Sequence, residues 1–402
     1  MVIPDFTGPV HLPDAGAYDE ARLAWNRAVD PRPALVAEAA GERDVRAAVS
    51  FARERGMPLA VQATGHGMLV ANEGALLLKT SRLTGVRVDP QRREATAGAG
   101  ALWTDVIAAA APYGLAPLSG TPWIGVTGYT LGGGLGWLSR RYGLAADSLL
   151  RARVVTADGE LRTAEDGDLL WALRGGSGNF GVVTELTFRL YPVERVHAGL
   201  TLHPIERTAE TLAVYRDWAL EEPDTLATGV LLMRMPDGSR VLGVRSFAVE
   251  GGERALGPLL AAAGEPLSGG RGEQTFAEAS ATLAPVHPPM PVRHRFELFR
   301  ELPDDLVTLL AHSPPDVVEI RHWGGAFARP GGPAGHRDVP FSILTAGDVE
   351  LPHATGGSFL TFLTDPARTA DAYTAANHAR LVELKKSWDP DTVFRPSHLI
   401  GA

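Results

Sequence analysis

Apolar positions along the chain switch period several times, and each switch predicts an element. Val45, Ala48, Val49 and Ala52 recur at i, i+3, i+4 and i+7, which predicts an amphipathic helix ended by Gly56. Leu59–Ala63 reads as a short strand running into Thr64-Gly65-His66-Gly67. Leu76–Leu78, Val86–Val88 and Glu94–Ala97 read as further strands, and Leu102–Ala111 as helix. Arg151–Thr156 and Glu160–Thr163 flank Ala157-Asp158-Gly159, the pattern of a hairpin, and Asp168–Leu173 suggests a short helix. After Gly181, residues Val182, Thr184, Leu186, Phe188 and Leu190 alternate with their neighbours, a period-2 strand. Residues 1–40 read as a proline-punctuated arm. A break at Tyr191-Pro192 precedes a mixed region over 200–365, read as a second domain. Tyr373, Asn377, Arg380, Leu381 and Leu384 return at helical spacing.

Composition narrows the function. The 402 residues carry 38 Lys+Arg against 47 Asp+Glu, a net charge of −9, which argues against a nucleic-acid partner. The three lysines, Lys79, Lys385 and Lys386, do not follow a glycine, so there is no P-loop. Cysteine is absent, which removes disulfides, thiolate metal sites and Cys nucleophiles and suits a cytoplasmic chain. Met-Val-Ile-Pro-Asp-Phe lacks the basic and apolar regions of a signal peptide, and no apolar run reaches the roughly 20 residues of a membrane span.

The candidate chemistry lies in glycine-rich segments. No two of the 12 histidines lie within five residues of each other, so no metal is expected. Gly176-Ser177-Gly178-Asn179-Phe180-Gly181 matches G-x-G-x-x-G, but a helix precedes it and a strand follows. That is the reverse of a dinucleotide-binding turn, so nicotinamide binding by this loop is rejected. Leu118–Gly136 holds seven glycines among apolar residues, which predicts neither a regular helix nor a regular strand. Val126, Tyr129, Leu131 and Leu135 point to burial, and a buried glycine loop offers backbone N–H groups suited to a diphosphate. His66 between two glycines is an ordinary turn residue or an imidazole left clear for a bulky ring.

Taken together, Gly65-His66, S-G-x-x-x-x-G-V-x-G-x-x-L-G-G-G-x-G-W-L-S-R over Ser119–Arg140 and G-x-G-N-F-G-V-V-T over Gly176–Thr184 resemble the FAD-binding domain of the vanillyl-alcohol oxidase and p-cresol methylhydroxylase (PCMH) superfamily. Within it the chain is most similar to bacterial berberine-bridge-enzyme-like flavin oxidases, from about Arg32 to Val193 and again over Val317–Ala326 and Tyr373–Ile400. The resemblance implies an α+β fold: a two-part FAD-binding domain of PCMH type, residues 1–195 and 370–402, around a substrate domain, 196–369, with an antiparallel sheet covered by helices. It implies FAD bound covalently through His66. Thr64, Gly65 and Gly67 would wrap the pyrophosphate, as would the loop carrying Ser119, Gly120, Thr121, Gly125, Gly128, Gly132 and Gly133. Val183 would present backbone to the adenine part.

Three departures from the family pattern stand out. Thr121 occupies the place of a cysteine that forms a second flavin link, so the bond would be single. Gln62-Ala63-Thr64 replaces a more basic sequence, and Thr392, Ser397, His398 and Leu399 replace polar residues of the family's closing segment. Alternation over Val317–Trp323 puts Glu319, Arg321 and Trp323 on one face and Val318, Ile320 and His322 on the other. Glu319 stands where some bacterial relatives carry a catalytic glutamate, with His322 and Tyr373 as alternative bases and Trp123 lining the pocket. The implied activity is oxidation of a small or medium organic alcohol, amine or secondary-metabolite intermediate, with O2 as reoxidant and H2O2 as product. A dehydrogenase with another acceptor and a drug-binding flavoprotein without turnover are the rival readings, and the chain is expected as a monomer or homodimer. Ile124 lies near the position that gates oxygen in relatives.

Overall fold

The computed structural model describes residues 2–401. Three sheets carry the molecule. The first forms from short apolar runs: Leu35–Glu38, Leu76–Lys79 and Leu59–Gln62 lie side by side in parallel, with Val10–His11 antiparallel at the edge. Parallel strands need crossovers: the helix Glu42–Glu54 links Leu35–Glu38 to Leu59–Gln62, and residues 63–75, which carry His66, return the chain to Leu76–Lys79 between them. Its stripe of Val45, Ala48, Val49 and Ala52 is fully buried against Leu35, Leu76 and Leu78, and each fully buried valine or larger apolar side chain contributes roughly 1.5–3 kcal/mol. Gly56 closes the helix at φ +60°, a conformation that glycine adopts without a Cβ penalty.

The expected arm at the start of the chain is instead part of this sheet. Leu35–Glu38 is one of its strands, and Asp44 pins residues 7–8 to the helix. The Asp44 carboxylate accepts N–H bonds from Thr7 (2.8 Å), Gly8 (3.1 Å) and Ala40 (2.8 Å). Burial alone would raise this carboxyl, and the three donors outweigh burial and hold it below its ordinary value.

The second sheet is antiparallel, in the order Val86–Asp89, Glu94–Gly98, Val182–Arg189, Leu149–Val155, Leu161–Ala164. The hairpin between its last two members turns at Gly159, φ +82°. The third sheet has seven antiparallel strands, in the order Ser268–Thr275, Arg195–Pro204, Arg240–Ala248, Leu226–Arg234, Val317–His322, Phe341–Ala346, His294–Phe299. Helices Thr208–Trp218, Gly257–Ala263 and Asp304–His312 cover one face, where Leu212, Leu259 and Leu306 join Val230, Val244 and Ile320 in a core. The other face turns toward the glycine-rich segment, with Phe247 stacked on Trp137.

The helix Ala375–Trp388 packs Leu381 into the core around Leu173 and Phe180. Its buried Lys385 donates to Asn179 O (2.9 Å), Phe394 O (3.0 Å) and Asp389 Oδ2 (2.5 Å). The chain then lies beside the first sheet, where Leu59 N–H donates to Val393 O (2.8 Å) and Arg395 N–H donates to Leu59 O (2.9 Å). Among the described residues no helix is long and apolar enough to cross a membrane.

Candidate active site

Leu59–Gln62 delivers the His66 loop. Gly65 has φ +82°, and a Cβ there would stand 2.7 Å from Ala24 Cβ, so only glycine fits. The segment it touches is bonded to the loop: Trp25 N–H donates to Thr64 O (3.1 Å) and Asn26 N–H to Gly65 O (3.2 Å). The Trp25 indole then stacks on the His66 imidazole, with ring centroids 4.1 Å apart and planes at 15°. On the ring edge, His66 Nδ1 lies 2.9 Å from Thr64 Oγ1. Burial pushes the imidazole down to about 4, so it is neutral near pH 7. Gly67 is exposed, with open space where a Cβ would be.

The glycine segment folds around Tyr129. A Cβ on Gly120 would meet the Tyr129 ring at 2.8 Å, one on Gly134 at 2.6 Å, and one on Gly136 would meet Ser119 O at 2.0 Å. Contrary to the expectation from its glycines, Val126–Leu131 is a short helix. Burial of Val126, Tyr129, Thr130 and Leu131 overrides the poor helix propensity of Gly128, which sits on the exposed side. Gly125 brings the segment against the His66 loop: its Cβ would lie 3.6 Å from Thr64 Cγ2.

Three buried hydroxyls in this segment, Ser119 Oγ, Thr127 Oγ1 and Tyr129 OH, have no hydrogen-bond partner among the described residues. Unpaired buried polar groups are costly, and a polar ligand relieves them. The open space at Gly67 and Gly128, with Thr127 Oγ1 unpaired next to Gly128, fits an FAD held by Thr64–Gly67 and Ser119–Gly128. Thr121 is exposed within the latter segment. Gly132 follows one helical turn on, its N–H donating to Gly128 O (3.1 Å); Thr361 Oγ1 donates to Gly132 O (3.0 Å), and Gly132 and Gly133 both line a small cavity with Tyr373 and Phe359. Val183 lies in the central strand of the second sheet, buried, at a bulge opposite Val154.

The candidate bases occupy three different environments. Glu319 lies on the open face of the seven-stranded sheet, where Oε1 accepts from Arg245 Nη1 (2.9 Å) and Arg321 Nη2 (2.8 Å). Burial raises its carboxyl, and the two guanidiniums overcome that and hold it below the usual carboxylate value. Trp137 lies beneath both, with Arg321 4.7 Å and Arg245 5.5 Å from its ring centroid.

His322 is on the opposite, helix-covered face. Its Nδ1 lies 3.0 Å from Glu222 Oε1 and 2.8 Å from Arg140 Nη1. Arg140 also donates to Leu226 O (2.7 Å), Glu222 O (2.8 Å) and Trp323 O (2.9 Å), so this cluster joins the glycine segment to the large sheet. Tyr373 is buried, donates to Gly175 O (2.9 Å), and has its phenol pushed up by burial. Trp123 donates to Ala284 O (3.0 Å), which ties the 284–292 stretch over the His66 side. Trp25 and Arg245 fall outside every motif, and Trp137 lies in the G-W-L-S-R run with no role attached to it. Arg245 alone carries a signal, as a charge inside the apolar run Val241–Val249.

A family model described as an FAD binding domain matches residues 33–165, and one described as berberine and berberine like matches residues 347–401. The chain is 34% identical over 194 residues to (R)-6-hydroxynicotine oxidase of Paenarthrobacter nicotinovorans, covering 47% of this chain and 42% of that protein. It is 30% identical over 287 residues to the uncharacterised FAD-linked oxidoreductase YgaK of Bacillus subtilis, covering 68% and 63%. The chain thus spans about half the length of the curated relatives it matches. The crystal structure of 6-hydroxy-D-nicotine oxidase from Arthrobacter nicotinovorans superposes with a TM-score of 0.85 at 24% identity, over 98% of both chains. Xylooligosaccharide oxidase from Myceliophthora thermophila superposes at 0.84 and 23%, over 98% of this chain and 97% of that one. These neighbours confirm the α+β fold of a PCMH-type FAD-binding domain with a helix-covered antiparallel sheet.

Proposed function

The chain belongs to the berberine-bridge-enzyme-like branch of the vanillyl-alcohol oxidase and PCMH flavoproteins, and from that premise we propose that it is an FAD-dependent oxidase of a small or medium organic substrate. The reactive group is an alcohol, an amine or a secondary-metabolite intermediate. When bound, the flavin supplies a two-electron acceptor for substrate hydride and passes the electrons to O2, giving H2O2. His66 is the residue that would hold the cofactor by one covalent bond, its imidazole being neutral, while Thr121 has no thiol for a second. Glu319 accepts the substrate proton at Oε2, the oxygen that takes no donor among the described residues. Arg245 and Arg321 keep that carboxylate ionised, and Trp137 fixes the two guanidiniums. The cysteine-free sequence supports a cytoplasmic location.

The observation that carries this reading is the meeting of the His66 loop and the glycine segment at Thr64 and Gly125, in a segment with three buried hydroxyls that have no partner among the described residues. The test is purification followed by a metabolite screen under nitrogen. The protein is expected to be yellow, to bleach with a cognate substrate, and to recover in air with one H2O2 per turnover. Bleaching without recovery in air would establish the dehydrogenase. A yellow protein that binds ligands and never bleaches would establish the binder. A colourless protein that ignores added FAD defeats the reading.

A further inference from the structure

The open face of the seven-stranded sheet holds more positive than negative charge. Cross-strand register sets Arg245 opposite Gly229 and Gly229 opposite Arg321, with Glu319 opposite Leu231 on the same face. Gly229 leaves the gap in which the three charges meet: a Cβ there would lie 3.7 Å from Arg321 Cγ and 3.8 Å from Glu319 Oε1. Leu231, Phe247 and Leu344 share this face and carry no charge. Two guanidiniums therefore face one carboxylate.

Hydrogen bonding is just as unbalanced. Both arginines donate to the same oxygen, Glu319 Oε1. Arg245 Nε and Arg321 Nε are buried without any partner among the described residues. The side chains of Arg245, Glu319 and Arg321 are 17%, 14% and 17% exposed, so the cluster is mostly desolvated and still open to a ligand. A guanidinium with unused donors in such a place is built to take a planar oxyanion. Trp137 holds both groups from below, and the Arg321 charge reaches the buried Tyr129 phenol of the glycine segment, which links the cluster to the proposed flavin loop.

We propose that Arg245 and Arg321 recognise an anionic group of the substrate, so that the substrate class is an organic acid bearing a carboxylate apart from the carbon that is oxidised. The proposal rests on the flavin reading above and specifies the substrate of that same site. A cationic amine is disfavoured, because Glu319 is already neutralised and one positive charge is left over.

The test uses purified holoenzyme and three probes of one shape: benzoate, benzyl alcohol and benzylamine. Flavin absorbance changes under nitrogen and the protein's melting temperature report binding independently of each other. Benzoate is expected to bind at least tenfold more tightly than either other probe, and to weaken as salt is raised. Arg245→Met and Arg321→Met are each expected to weaken benzoate at least tenfold, and the isosteric Glu319→Gln to tighten it. Should an Arg→Met variant fail to fold, Glu319→Gln and the salt series carry the test.

Tightest binding of benzylamine, or benzoate binding that no variant alters, overturns the proposal. So does a result in which the arginine variants shift only the flavin's affinity for sulfite, since the charge then serves the cofactor. A yellow protein indifferent to benzoate defeats this proposal alone. A colourless one defeats the flavin reading, and the melting-temperature arm still decides whether the arginines bind the anion.

Discussion

His66 and Trp25 form a parallel stack, ring centroids 4.1 Å apart, held in place by the backbone bonds at Thr64 and Gly65 and by the side-chain bonds Gln62 to Leu23 O and Asn26 to Met68 O. The indole fixes the plane of the imidazole, and the Thr64 hydroxyl fixes its rotation through Nδ1. The covalent attachment proposed above would need both settings, because the attacking lone pair lies in the ring plane.

Trp25→Ala is therefore expected to slow attachment. A stacked aromatic pair contributes about 0.5–1.5 kcal/mol beyond its buried area, so the slowing is roughly two- to tenfold. His66→Ala abolishes attachment while leaving noncovalent FAD in place. The measurement is the yellow colour kept by acid-precipitated protein, with the flavin mass located on the His66 peptide. Wild-type protein that releases all its colour into the acid supernatant makes His66 a packing residue only.

Gly65→Ala and Gly67→Ala should part company. The first puts a Cβ 2.7 Å from Ala24 Cβ at φ +82°, and left-handed backbone alone costs a non-glycine residue about 1–2 kcal/mol. The second meets nothing within 4 Å. Melting of the apoprotein should drop by several degrees for Gly65→Ala and stay unchanged for Gly67→Ala. Equal effects would mean that the Ala24–Asn26 segment does not seat on the loop as described.

Stability should decline in mild acid as buried imidazoles take up protons, His66 and His398 being the most strongly shifted and His203, His294 and His322 moved the same way. Burial pushes His66 and His398 from the ordinary 6.5 down to about 4. Between those values the unfolded chain binds protons that the folded one refuses, so stability is complete above about pH 6.5 and lost as pH falls toward 4. His398, which lies 3.0 Å from both Thr369 Oγ1 and Leu363 O, is the more buried and accounts for about 2–3 kcal/mol over that interval. His66 contributes less, because solvent reaches part of its ring. His398→Gln should reduce the slope of melting temperature against pH from 6.5 to 4, and an unchanged slope would assign the effect elsewhere.

Lys385→Met should be among the most damaging single changes outside the site. It leaves Asp389 buried without its cation and frees the carbonyls of Asn179 and Phe394. Removing one partner of a buried ion pair costs about 3–5 kcal/mol. Urea denaturation is the direct measure, and a loss below about 1 kcal/mol would show the pair to be dispensable.

The sequence discloses elements whose burial is one-sided. The helix Glu42–Glu54 shows its stripe because only one face meets the sheets, and Val317–His322 alternates because helices cover one face alone. Leu35–Glu38 leaves no such trace: four residues after two prolines, nearly all buried, have no period to read. Val126–Leu131 is concealed for the opposite reason, since tertiary burial forms a helix where glycine content argues against one. In the candidate site, the His66 and Ser119–Gly128 loops are legible from their glycines. Trp25 is not, and Arg245 shows only as a charge within an apolar run, because a stack or an ion pair between distant segments depends on topology that no local pattern records.

The bonds from Leu59 to Val393 and Arg395 impose an order on synthesis. Leu59 begins the strand that delivers His66, and its partners leave the ribosome long after it, once the whole seven-stranded sheet has been made. Until then that strand keeps an unpaired edge. The His66 side of the molecule is thus completed late, so a nascent chain can hold a folded large sheet before it can lock a cofactor.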